Sequence, residues 1–267
     1  MANVSVILPV YNCGEYIRHT IRSVQNQEYK NWEMIIINDA STDDTAEQIK
    51  AFAAADKRIK VINLPENKGV AAARNIGISQ AEGRFLAFID ADDLWGKEKL
   101  SRQIFFMAKH NAALSHTAFA FIDSEGKLAK QGQSGVDEEI DMKTYMKTSQ
   151  IRMSSVMIDR ERVKDVHFPA DRKICEDARL WMDYLRTGEH FYGLDKVLML
   201  YRVRPNQLSR RKDKMAWAAF KRYMGEKTLT PAERISCFAH YACSALKIWK
   251  PKKNVDVKYI KENFNCR

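Results

Sequence analysis

No stretch of the chain comes near the ~18 uninterrupted apolar residues of a membrane span. The opening residues lack the basic region of a secretory signal, and Ser5 and Pro9 interrupt their apolar run. A cytoplasmic protein is expected. Cysteine is scarce: Cys13, Cys175, Cys237, Cys243 and Cys266 are odd in number, scattered and without a C-x-x-C pair. That excludes a zinc ribbon and a disulfide framework and fits a reducing compartment. Glycine (11) and proline (6) are too few in 267 residues for a collagenous or low-complexity chain, and no internal repeat is present. The G-x-x-x-x-G-K-[ST] phosphate loop is missing, so Lys68-Gly69 is not one, and none of the six histidines shows H-E-x-x-H or other metal spacing. Those histidines are expected to be structural, and Cys13, without a recognisable base partner, is not expected to act as a nucleophile.

What the chain does have is the substance of a large globular unit, 45% apolar and 29% charged, long enough to bury a sizeable core. Its net charge of +10 is uneven. From Tyr201 onward 17 Lys and Arg face five Asp and Glu, +12 locally, which leaves −2 for residues 1–200. In that tail Ile235, Phe238, Ala239, Ala242, Leu246 and Trp249 recur at helical spacing over 231–250. Two readings stay open: a helix lying on an anionic membrane surface, each basic group contributing about 1 kcal/mol, or a helix packing its stripe on the rest of the protein. Nucleic acid is not an expected partner, because no module of interleaved aromatic and basic residues accompanies the charge. A basic nucleic-acid-binding protein is therefore the alternative from outside the enzymes.

Short apolar, β-branched runs at 4–10, 32–38, 59–63 and 84–89 alternate with helical patterns at 15–25, 45–55 and 70–81. Strands apolar on both faces and separated by helices predict a parallel sheet covered on both sides, a doubly wound α/β architecture. After a helix near 98–110, the run 114–122, the turn Asp123-Ser-Glu-Gly and the run 127–131 read as a hairpin. Strands at 155–158 and 197–201 flank a helix at 175–186, and beyond Pro205 only helices are expected, at 212–227 and 231–250.

Open parallel sheets bind ligands beyond the carboxyl ends of their strands, so the polar residues there are the candidates: Tyr11-Asn12, Asp39 and Asp90-Ala-Asp92-Asp93. Three acids in four residues concentrate like charge that a divalent cation would relieve, and hard oxygen ligands suit Mg²⁺ or Mn²⁺. A capped loop of solvated acids is the plainer alternative. Glu176 and Asp177 open a helix, where the positive dipole end favours ionised carboxylates; they could equally serve as its N-cap.

Six motifs then occur in one order: Val-Ser-Val-Ile-Leu-Pro-Val-Tyr-Asn (4–12), Ile-Ile-Asn-Asp-Ala-Ser-Thr-Asp (36–43), Asn-Lys-Gly-Val-Ala-Ala-Ala-Arg-Asn (67–75), Phe-Ile-Asp-Ala-Asp-Asp (88–93), Glu-Asp-Ala-Arg-Leu-Trp (176–181) and Tyr-Arg-Val-Arg-Pro (201–205). In this the chain resembles the family-2 glycosyltransferases of GT-A fold, over most of residues 3–204. The resemblance implies a GT-A catalytic domain over 1–204, with a nucleotide-binding half (1–110) and an acceptor-binding half (111–204), followed by a basic helical extension over 205–267. It implies a metal-dependent, inverting hexosyltransferase that carries a sugar from a UDP-sugar to a hydroxyl of a bacterial surface polysaccharide or lipid-linked glycan at the inner leaflet. A nucleotidyltransferase making sugar nucleotides is the alternative enzyme, disfavoured by the lack of a Gly-rich phosphate loop.

Residue by residue, the resemblance implies that Pro9 and Tyr11 line the base pocket, that Asp39 holds the nucleobase edge and that Arg74 lies beside the nucleotide. Asp90 would contact the ribose or the metal shell, Asp92 would face Mn²⁺ or Mg²⁺ on the diphosphate, and Asp93 would support them. Asp177 would be the base that takes the acceptor proton, with Glu176 supporting it or orienting the acceptor. Trp181, one helical turn after Asp177, is expected either to stack on the acceptor sugar or to sit in the core. Arg202 and Arg204 would lie near the diphosphate. Many relatives have histidine where this chain has Arg204, and arginine cannot ligate a metal but can pair with phosphate.

Overall fold

The computed structural model describes residues 3–169, 176–204, 212–246 and 255–264. Its first half is the predicted alternation: β1 (Val4–Val10), α1 (Gly14–Gln25), β2 (Trp32–Asn38), α2 (Thr45–Ala55), β3 (Ile59–Asn63), α3 (Val70–Ser79) and β4 (Phe85–Phe88). The two-residue period of a strand sends neighbours to opposite faces. Val4, Val6, Leu8 and Val10 of β1 meet Ile17, Ile21 and Val24 of α1 and Ile49 of α2. Ile7 of β1 and Ile35 and Ile37 of β2 turn to the other face, against Ala71 and Ala73 of α3. Gly77 lets α3 come this close, for a Cβ there would stand 2.6 Å from Ile37 Cδ1.

The second half adds β5 (Leu94–Trp95), α4 (Lys99–Lys109), β6 (Leu114–Ile122), β7 (Leu128–Gln133), β8 (Glu139–Ile140), α5 (Met142–Thr148), a 3₁₀ turn (Met153–Ser155), β9 (Met157–Asp159), α6 (Glu176–Arg186) and β10 (Phe191–Arg202). Among the described residues one sheet runs in the order β3-β2-β1-β4-β9-β6-β10-β5, with β7 on β6 and β8 on β10. β3, β2, β1 and β4 are parallel. β9 is antiparallel to both β4 and β6, and β10 is parallel to β6. Two reversals restore direction, so β10 ends on the same edge of the sheet as β1, β2 and β4. That fact builds the site. The sheet is mostly parallel with helices on both faces, as the sequence predicts; the reversal at β9 has no local signature, because that strand is only three residues long.

Beyond 204, α7 (Lys212–Met224) packs on α8 (Pro231–Leu246) and α8 on α5, while α9 (Val257–Asn263) packs against β5, β6 and β10. Tyr223 is buried and its hydroxyl donates to the Met146 carbonyl, while Arg186 reaches the buried Glu226 at 2.7 Å. In α8 the buried edge carries Cys237, with Phe238 and Tyr241 beside it. Ile235 is 63% exposed and Ala239 also faces solvent, so the stripe expected over 231–250 is only partly a packing face. Trp249 and Lys250 of that stretch lie outside the described residues, as does Cys175 at the start of the helix expected over 175–186. No described helix is long and apolar enough to cross a membrane.

Candidate active site

The loops at the carboxyl edge of β1, β2, β4 and β10 converge, and two of them carry backbone in the left-handed region, Asn12 at φ 46° and Ala40 at φ 59°. The Asn12 side chain accepts from Thr42 N at 2.8 Å and so ties the first loop to the second. Tyr11 stands half exposed at the end of β1, and Pro9 is buried within it. Asp39 is buried, and its carboxylate accepts from the backbone N–H groups of Lys68 (2.7 Å) and Gly69 (2.8 Å) just before α3. The carboxylate expected on a nucleobase edge thus closes a loop on these bonds.

Arg74 organises the middle of the site. It is buried on α3 and donates through Nη1 to Glu176 Oε1 and through Nη2 to Asp90 Oδ1, each at 2.8 Å. Its Nε has no hydrogen-bond partner among the described residues, and the guanidinium lies 5.3 Å from the Phe168 ring centre. One arginine therefore joins two acidic motifs that are 86 positions apart, the acids after β4 and the acids that open α6. Burial raises the Glu176 pKa, opposed by Arg74. Breaking such a buried pair from one side usually costs about 3–5 kcal/mol. Asp177 is half buried beside it; Oδ1 accepts from Ala178 N at 2.7 Å, and Oδ2 has no hydrogen-bond partner among the described residues.

The remaining acids after β4 meet β10. Asp93 is buried, accepting from Ser154 Oγ at 2.6 Å and from Arg202 N at 3.0 Å. Burial, with Asp92 and Asp90 close by, raises its pKa well above the usual carboxylate range. Arg202 is also buried: Nε donates to the Asp92 carbonyl, and Nη1 to the carbonyls of Asp123 and Ser124. Its expected place on the donor is a different one from this, since the guanidinium splices β10 to the Asp90–Asp93 loop and to the β6–β7 turn. Arg204 reaches Asp92, with Nε 2.6 Å from Oδ2, and its guanidinium lies 5.4 Å from the Tyr16 ring centre.

Trp181 is not a stacking platform. It is fully buried, edge-on to Phe191 and Phe168 at 5.2 and 6.4 Å, because the face of α6 it shares with Ala178, Tyr184 and Leu185 packs into the core. Ser154, which also accepts from Asp90 N through Oγ at 2.9 Å, was not singled out in the sequence; nothing in its neighbourhood marks it, since a serine in a 3₁₀ turn is a common residue in a common place.

The Asp90-Ala-Asp92-Asp93 carboxylates are the hard oxygen donors that Mg²⁺ or Mn²⁺ prefers. As arranged they do not fit a resident ion. Asp90 is paired with Arg74, Asp92 with Arg204, and Asp93 is turned to Ser154 and the backbone of Arg202. Among the described residues no three His, Cys, Asp or Glu side chains gather as a metal site.

Residues 5–166 match the sequence profile of Glycosyl transferase family 2. TuaG of Bacillus subtilis, whose name assigns it to teichuronic acid biosynthesis, is 36% identical over 91% of this chain and 96% of its own. WfaP of Escherichia coli, a UDP-Glc:α-D-GlcNAc-diphosphoundecaprenol β-1,3-glucosyltransferase, is 34% identical over 92% of this chain and 95% of its own. Among solved structures, Staphylococcus aureus TarS (residues 1–349) in complex with UDP-GlcNAc superposes with a TM-score of 0.68 at 22% identity, over 91% of this chain and 72% of that one. A mannosyltransferase from Pyrobaculum calidifontis with GDP-Man and Mn²⁺ gives 0.66 at 18% identity, over 92% and 70%.

Proposed function

The chain belongs to the family-2 glycosyltransferases, and from that membership we propose that it moves a hexose, with inversion, from a UDP-sugar to a hydroxyl of a bacterial surface glycan carried on a lipid diphosphate. The observation that carries this is Arg74, whose two 2.8 Å ion pairs hold the acids after β4 and the acids of α6 on either side of one guanidinium. A donor at the carboxyl edge of the sheet and an acceptor at the mouth of α6 would then meet across it. The donor class and the lipid-linked acceptor are supported by WfaP, whose name states both.

The chemistry is one displacement. The bond from the anomeric carbon to the β-phosphate oxygen breaks and its electron pair leaves with UDP. The acceptor oxygen forms the new bond from the opposite face, and its proton passes to Asp177, whose Oδ2 is open for it. Glu176, held by Arg74, fixes the start of α6 and so the aim of its neighbour. The Mn²⁺ or Mg²⁺ implied by the resemblance would be held by Asp92 and Asp90, and would have to take both carboxylates from their arginines. Peripheral contact with the inner face of the membrane belongs to the same proposal, through the basic tail.

Asp177→Asn keeps the acceptor for Ala178 N but cannot take a proton. Transfer should fall about 10²-fold or more with donor binding little changed, and the wild-type product from an α-linked donor should show a β anomeric proton coupling by NMR. Wild-type turnover in the variant, or retention in the product, overturns the assignment.

A further inference from the structure

Three arginines face the candidate donor site, and their donors are spent differently. Arg74 gives Nη1 and Nη2 to carboxylates, and Arg202 gives Nε and Nη1 to three main-chain carbonyls. Arg204 makes no aligned hydrogen bond to any described residue. Its Nε touches Asp92 Oδ2 at 2.6 Å as an ion pair, but the N–H does not point along that contact. The side chain is 35% exposed, against 5% for that of Arg74, so its fork is the one open to a ligand from solvent. It stands at the end of β10, on the edge where an open sheet of this kind receives a diphosphate. Guanidinium presents paired donors that match phosphate oxygens, a match an ammonium or imidazole does not make.

We propose that Arg204 is the cation on which the donor's diphosphate sits, with Asp92 as its orienting counter-ion, so that nucleotide binding in this chain does not require a divalent ion. The inference rests on the reading of the protein as a nucleotide-sugar enzyme, and it departs from that reading's metal. The acid that would hold the ion instead holds an arginine. Asp92 holds the guanidinium at its buried Nε, which leaves the Nη groups for phosphate oxygens. Charge balance points the same way, since a diphosphate entering among Asp90, Asp92, Glu176 and Asp177 needs a cation not already committed by hydrogen bonds.

The test is calorimetric titration of the full chain with UDP, GDP and uridine, in EDTA and in Mn²⁺. UDP should bind wild type in EDTA within about threefold of its affinity in Mn²⁺. Arg204→Ala should weaken UDP about tenfold or more in EDTA, about 1.4 kcal/mol, while uridine binding is unchanged. Arg204→His should bind UDP well only with Mn²⁺, which gives Asp92 back to an ion; thermal melting checks that each variant is folded. Loss of UDP binding by wild type in EDTA overturns the inference and leaves the glycosyltransferase reading intact. So does an Arg204→Ala variant that binds UDP as wild type does. Failure of UDP and GDP to bind wild type under either condition overturns both.

Discussion

Lys99, at the first turn of α4, is wholly buried, donates to Gln103 Oε1 at 2.8 Å and lies 4.1 Å from the Trp95 ring centre, with no carboxylate partner among the described residues. Burial pulls its pKa from the ordinary 10.5 down to about 7. Between those two values the unfolded chain holds a proton that the folded chain has released, so stability rises with pH across that window and the burial cost is greatest below pH 7. Lys99→Met keeps the stem and removes the charge, and should raise the melting temperature at pH 6.5 by a few degrees. The gain should shrink toward pH 10; a difference constant with pH would refute this account. At this scale the sequence exposed residue types but not their partners. Asp90, Asp92 and Arg74 are legible because chemistry and order coincide, whereas Trp181 is a buried core ring because the phase of α6 against the sheet depends on packing over the whole helix. Arg202 ends β10 and Arg204 lies two positions beyond it, yet one feeds carbonyls and the other pairs with a carboxylate. Only the β6–β7 turn, brought alongside by the sheet, decides which.

For the elements, the apolar pattern of the sequence is enough to place four strands. β1, β2, β3 and β6 have the expected ends. It failed where an element is short or set by its neighbours: β5, β8 and α5 were not foreseen, and β10 runs over 191–202 where 197–201 was expected, since its outer residues gain strand form from pairing with β6 and β8. Close approach between elements can be tested at two glycines. A Cβ at Gly77 would meet two side-chain methyls, Ile37 Cδ1 at 2.6 Å, whose end can turn, and Ile7 Cγ2 at 2.8 Å, which gives only by a small shift, but a Cβ at Gly83 would stand 2.7 Å from Ser5 N and 2.8 Å from Val4 C, which are backbone and cannot turn aside. Gly83→Ala should therefore cost about 1–3 kcal/mol in urea denaturation. Gly77→Ala should cost less, because alanine returns up to about 1 kcal/mol of helix propensity. Equal losses at both sites would show that backbone and side-chain obstacles are not distinguished as argued.

Taken as a whole, the molecule puts an apolar and basic surface on the helices after 204. Trp217 and Phe220 of α7 are 59% and 37% exposed, with rings stacked at 5.6 Å, and Lys221 Nζ lies 5.2 Å from the indole centre. If this surface meets the membrane, the full chain should co-sediment with vesicles containing anionic lipid and release as salt rises, charges being screened beyond about 8 Å at physiological ionic strength. Trp217→Ala with Phe220→Ser should weaken that binding several-fold without lowering the melting temperature; indifference of the full chain to anionic vesicles at low salt removes the proposal. Deleting the tail is the poorer experiment, since Tyr223, Glu226 and Cys237 are buried against the body. The last described helix has a further effect. Phe264 fills the space above Gly96, Lys97 N donates to the Asn263 carbonyl at 3.0 Å, and Ile260 and Phe264 complete a cluster with Leu94, Ala118, Ile122 and Leu200. These residues leave the ribosome after everything they cover, so β5 and its neighbours must wait, unsealed, through most of translation. Contacts of such long sequence separation slow the final step of folding and keep apolar surface on show to chaperones and to other nascent chains until it is taken.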